Sequence, residues 1–129
     1  AMTIRVVRLG SPRLPGEALR IGTVRRPPRG VPRSQFASGN WYDVWLPVLA
    51  PSEATVKLGR SVQGDAGWRR FERRYRSEMA RPEAKQAIAL LAALSRSADF
   101  SVGCYCEDES HCHRSLLRDL LIAGGARVR

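Results

Sequence analysis

An α/β domain with a small, mostly parallel sheet flanked by helices is the fold this sequence predicts, and three observations predict it. Strand-like runs at "IRVVRL", "ALRIGTV" and "DFSVGCYC" are separated by segments of helical periodicity, an alternation that favours parallel strands joined through helices. The chain's 129 residues suffice for one hydrophobic core and are few for two. Its composition, 43% hydrophobic and 26% charged, is that of a soluble globular protein. One domain over residues 1–129 is expected, with Ala1 ahead of Met2 reading as the remnant of a cleaved tag.

The elements follow in order. Ile4, Val6 and Leu9, interleaved with Arg5 and Arg8, form a first strand. "SPRLPGE" is a turn-rich connection, and Ala18 to Val24 form a second strand. The stretch "RRPPRGVPRSQ" then holds three prolines and four arginines in eleven residues. Proline lacks the amide proton that a helix interior or central strand needs, so this is an exposed basic loop. Trp41, Trp45 and Leu46 stand at helical spacing ahead of Pro47 and Pro51, which predicts a short helix ending near Leu49. Ser52 suits the cap of the next helix.

Trp68, Phe71, Tyr75 and Met79 recur at i, i+3, i+7 and i+11, one apolar stripe on a charged helix. Pro82 stops that helix and opens another, "PEAKQAIALLAALSR", apolar on most of its surface and so expected to be deeply packed. Phe100, Val102 and Cys104 share one face of a third clear strand, with Ser101, Gly103 and Tyr105 on the other. Ser110 caps a helix from about His111 to Ala123, which Gly124-Gly125 stop, and "ARVR" is a short final strand.

No apolar run approaches a membrane span and the amino terminus has no signal-peptide pattern, so a cytoplasmic location is expected. Three cysteines, an odd count, argue against a secreted disulfide framework. The formal charge is +10. Residues 1–40 carry eight Arg against the single acid Glu17, net +7; the remainder carries fourteen basic against eleven acidic residues, net +3. A positive first third suggests an anionic partner, either a small molecule or nucleic acid. Twenty of the 22 basic residues are Arg, however, the usage of a GC-rich genome, and charge alone describes a field and not a site.

All three cysteines and both histidines fall within "CYCEDESHCHRSLL", Cys104 to Leu117. Four chemistries fit that crowd. As a metal site it offers five ligands, but Cys104 belongs with the core face. His111, Cys112 and His113 fan out by about 100° each at a helix start, so at most two of them converge. No metal and no cofactor is therefore assigned. As a thiol site, Cys112 lies in a first helical turn, where the dipole, Arg114 and the histidines lower a thiol pKa, with Cys106 as a resolving partner. "CHRSLLR" matches the C-x5-R spacing of cysteine phosphatases, yet lacks the glycines that wrap a phosphate. The fourth possibility needs least: a strand ending at Cys106-Glu107, a short loop, and a helix start with free amides, a place where α/β folds gather ligands.

These residues resemble the C-terminal signature of the domain of unknown function 488 family, a strand ending Cys-x-Glu or similar and then Cys-His-Arg opening a helix. The rest of the chain is similar to that family's YeaO-like branch: "RRPPRG", "WLPVLAPS" and "WRRFERRYRSEM" stand where the branch has its conserved-type strings. The resemblance points to Arg25, Pro28, Arg29 and Gly30, to Trp45, Pro51 and Ser52, and to Trp68, Phe71, Arg74, Tyr75 and Glu78. In the C-terminal motif it points to Cys106, Glu107, Cys112, His113 and Arg114. Val24 and Pro27 depart from the branch's Asp and Trp, and the branch often lacks Cys-His-Arg. The family's activity is unsettled, so the resemblance implies a fold and a site more than a reaction.

The expected site joins the basic loop to the Cys106–Arg114 turn. Arg25, Arg29, Ser110 and Arg114 would hold an anionic ligand of the nucleotide, nucleic-acid or other phosphorylated class. Cys106, Glu107, Cys112 and His113 would supply the reactive groups, with Glu107 or Cys106 as base or nucleophile and His113 moving a proton. The alternatives are a non-catalytic nucleic-acid-binding module and a zinc or thiol-redox site.

Overall fold

The computed structural model describes residues 2–61, 64–106 and 111–129. Four strands, β1 (Ile4–Arg8), β2 (Leu19–Gly22), β3 (Val44–Trp45) and β4 (Phe100–Cys104), make one sheet in the order β1-β4-β2-β3. Every pairing is parallel, so the four carboxyl ends lie along one edge. The last strand is an inner one: Phe100 stands opposite both Ile4 and Leu19, and all five residues of β4 are buried.

Gly103 and Gly22 are close-packing positions. A Cβ on Gly103 would come 2.7 Å from the Val7 carbonyl oxygen, and one on Gly22 would come 2.3 Å from the Tyr42 ring. Past the ladder, the Leu9 amide donates to the Cys104 carbonyl (2.7 Å) and the Thr23 amide to that of Gly103 (3.0 Å). The end of β4 is thereby clamped on both sides.

Four helices are described: α1 (Glu53–Ser61), α2 (Gly64–Met79), α3 (Pro82–Leu94) and α4 (His113–Ala123). The α2 stripe works as its spacing predicts, with Phe71, Tyr75 and Met79 buried and Trp68 half-buried. These side chains meet Ile4, Ile21, Leu49, Ile88, Leu91, Phe100, Val102, Leu117 and Leu121 in the main core. Each large apolar residue so buried contributes about 1.5–3 kcal/mol. Ser52 caps α1: its Oγ accepts the Thr55 amide at 3.3 Å. Glu78, from the end of α2, accepts the Ser52 amide (2.9 Å), the Ser52 hydroxyl and the Thr55 hydroxyl (2.9 Å), which ties two helices together.

Several expectations need correction. Trp41 to Leu49 is not a short helix. Val44 and Trp45 pair with Ile21 and Gly22 as β3, and Pro47–Leu49 forms a single 3-10 turn. Trp45 stays exposed and its indole N–H donates to the Val24 carbonyl at 2.7 Å. The helix after β4 begins at His113 and not His111, with Cys112 extended in the cap position. The final strand reduces to one parallel bridge, Val128 to Ile4. α3 is packed on one face only, through Ala84, Ile88, Leu91 and Ala92, while Leu90 and Leu94 are exposed. No described helix is long and apolar enough to cross a membrane.

A buried ion pair has no counterpart in the sequence reading. Arg20 Nε and Nη2 donate to the two Glu17 oxygens at 2.6 and 2.8 Å, with both side chains almost fully enclosed. The remaining valences are met by the Ser11 and Asn40 carbonyls, both 2.8 Å from Arg20 Nη1, and by the Ser101 hydroxyl, 3.0 Å from Glu17.

Candidate functional site

The carboxyl end of β4 meets the start of α4 at the edge where all strands terminate. Strand alternation places Cys104 and Cys106 on one side and sends Tyr105 to the other. Tyr105 is half-buried, edge-on to Trp41, and its hydroxyl donates to the Arg26 carbonyl at 2.9 Å. Cys104 and Cys112 are buried together with Leu9, Val24 and Tyr42, and Cys106 is exposed above them. The three sulfurs all lie within 4.8 Å of one another. Cys104, assigned to the core alone from its strand face, is thus also part of the cluster, and no disulfide joins the three. The Cys-x-Cys spacing on one strand face was the signal available in the sequence for that convergence.

Sulfur electrostatics follow from this crowding. Thiol hydrogen bonds from Cys104 and Cys112, opposed by burial and aided by the nearby Arg114 charge, hold the Cys106 thiol down at about 3. Donating to Cys106 pushes Cys104 up to about 12, and donation to both other sulfurs with burial pushes Cys112 far above the thiol range. The cluster thus favours a negative charge on its exposed sulfur over one on either buried sulfur.

His113 is buried, and its Nε2 stands 2.7 Å from the Thr23 carbonyl oxygen, so Nε2 is the protonated nitrogen. Its Nδ1 then points an open lone pair at Cys112 Sγ, 3.8 Å away. Burial lowers the His113 pKa to about 4, partly offset by the Thr23 hydrogen bond, and the ring is neutral at physiological pH. Thr23 was not anticipated as a contributor; its part is a backbone carbonyl, which no side-chain pattern announces. Arg114 is buried in the first turn of α4, close enough for its charge to act on both Cys106 and His113.

The structure brings Cys106, Cys112, His113 and Arg114 together. Glu107 and Ser110 lie outside the described residues. Arg25 is engaged elsewhere: its Nε donates to the Pro51 carbonyl (3.0 Å) and its Nη2 to those of Pro47 and Ala50 (both 3.2 Å). It braces the approach to α1. Arg29 is exposed in the basic loop. His111 is exposed against the Trp68 ring, with centroids 5.3 Å apart. Three sulfurs, one of them facing outward, form a centre able to act as a thiolate or to ligate a soft cation.

No curated protein and no solved structure matches the chain. A family model does, over residues 4–125, a span that takes in β1, the sulfur cluster and nearly all that lies between and after them. With that match the chain belongs to the DUF488 family, within the group described as the active DUF488-N3 subclade, DUF488-N3a.

Proposed function

We propose that the chain is an enzyme acting on an anionic small molecule, of the nucleotide or other phosphorylated class, at the carboxyl end of β4. The observation that carries this is the exposed Cys106 sulfur, with two buried thiols within 4.8 Å of it, at a strand end beside a helix start. Ligands of parallel α/β sheets collect at this edge, and perturbed groups in such a place favour catalysis over packing. The description of the matched subclade as active agrees.

In this function Cys106 is the sulfur that faces the substrate. Arg114 and the first-turn amides of α4 offset the substrate's negative charge, with Arg29 approaching from the basic loop. Ser110 and Glu107 supply a hydroxyl and a proton acceptor. His113 is enclosed and neutral in this function: held by the Thr23 carbonyl, it positions the Cys112 sulfur from behind and does not reach solvent. The alternative of a basic nucleic-acid-binding module draws less support, since Arg13, Arg20 and Arg25 of the first third are committed to Asp43, Glu17 and backbone carbonyls.

Calorimetric titration with ATP and with inorganic pyrophosphate tests the proposal. Wild type is expected to bind at least one, Arg114→Gln to bind about tenfold or more weakly, and Cys106→Ser to bind without turnover. Binding of neither probe, or binding and turnover unchanged in a folded Cys106→Ser protein, overturns it.

A further inference from the structure

We propose that Cys104, Cys106 and Cys112 form a three-sulfur site for a soft divalent cation, zinc(II) above all, with a fourth coordination position open on the Cys106 side. Zinc–sulfur bonds of about 2.3 Å in a tetrahedron require sulfurs about 3.8 Å apart. The three sulfurs already lie within 4.8 Å of one another, so an ion needs a contraction of about 1 Å at most and no change of fold. Two of the donors are rigid. Cys104 ends the buried central strand, and Cys112 is locked in the cap of α4 against Leu9, Val24 and Tyr42. The third, Cys106, is exposed and provides the entry path.

The surroundings suit an ion. Three thiolates around a divalent cation leave one net negative charge, and Arg114 in the first turn of α4 lies beside it with the positive end of the helix dipole. The His113 ring, anchored by Nε2–H to the Thr23 carbonyl at 2.7 Å, sits against Cys112 Sγ and fixes that ligand from behind. On binding, each thiol that enters as thiolate releases its proton to the buffer. Three protein ligands with an open fourth position are the arrangement of a catalytic zinc and not of a closed structural one. Water, or an oxygen of the anionic substrate proposed above, fills that position; only this last statement rests on the proposed function.

The test uses the whole chain, reduced and stripped with chelator, then titrated with cobalt(II) and with zinc(II) against a chromogenic chelator. One ion per chain is expected. Cobalt should give sulfur-to-metal charge-transfer bands in the near ultraviolet and the intense visible bands of a tetrahedral site. Zinc should protect the exposed Cys106 thiol from iodoacetamide. Cys106→Ser, which alters an exposed side chain, should weaken zinc by about tenfold or more while leaving the circular dichroism spectrum unchanged. Pale, octahedral-type cobalt spectra, a Cys106 thiol alkylated at the same rate with and without zinc, or affinity untouched in Cys106→Ser overturn the site. ATP or pyrophosphate binding that survives in chelator separates the proposals: it leaves the ligand site standing whatever the ion does, and tight zinc without either ligand does the reverse.

Discussion

Glu17 is the single acid among the first 40 residues, and its carboxylate is buried beside Arg20 at the end of the β1–β2 connection. Removing one partner of an enclosed pair leaves the other charge uncompensated, so Glu17→Ala is expected to cost about 3–5 kcal/mol in urea unfolding. Replacing both residues together, as Glu17→Leu with Arg20→Met, should recover most of that loss, because a matched apolar pair avoids the desolvation of two ions. Burial pushes the Glu17 pKa up, but the hydrogen bonds from Arg20, the Leu14 amide and Ser101 outweigh it and hold it below the ordinary 4.5. As pH falls the unfolded chain therefore binds this proton first. The stabilisation is whole above pH 4.5 and drains away as pH drops through the lower folded value. Urea midpoints should fall between about pH 5 and pH 3 in wild type and fall less in the double variant. Nothing in the spacing of Glu17 and Arg20 distinguishes this buried pair from a solvated one. What encloses it is tertiary: Ser101 from β4 and the Asn40 carbonyl.

At the scale of elements, periodic segments could be read and non-periodic ones could not. The i, i+3, i+7 stripe of α2 survives in the structure because burial on one face imposes it, and β4 survives as a short, continuously buried run. Val44–Trp45 is only two residues long and exposed, so no periodicity can mark it; its backbone pairing with Gly22 makes the strand. The sulfur cluster escaped for a similar reason, since convergence depends on where Cys112 at the start of α4 packs against the end of β4. Gly22 offers a direct check on the β2–β3 arrangement. With a Cβ at 2.3 Å from the Tyr42 ring, Gly22→Ala must displace that ring, and a loss of about 1–3 kcal/mol is expected from thermal unfolding. Glu78 checks the α1–α2 tie. Glu78→Ala should cost about 2 kcal/mol, since it removes a charged acceptor from the positive end of α1, and Glu78→Gln less than half of that.

Over the whole molecule, the +10 charge is less available than its size suggests. In the first third, Arg5 donates to the Pro15 carbonyl, Arg13 pairs with Asp43, Arg20 with Glu17 and Arg26 with Glu53, while Arg25 braces three carbonyls. Binding to a random DNA duplex, followed by fluorescence anisotropy, should therefore depend on salt with a log–log slope no steeper than about −3. A slope of about −6 or steeper would favour the nucleic-acid module instead. The strand order has a consequence of another kind. β1 and β2 do not pair with each other; the slot between them is filled by β4, from the last quarter of the chain. During synthesis the ribosome therefore delivers both walls of that slot long before the strand that fills it. Such late, long-range closure makes for slow folding, and a fragment ending at Asp99 is expected to show no cooperative unfolding. For most of its time as a nascent chain, this protein must be kept from joining a neighbour's strand before its own arrives.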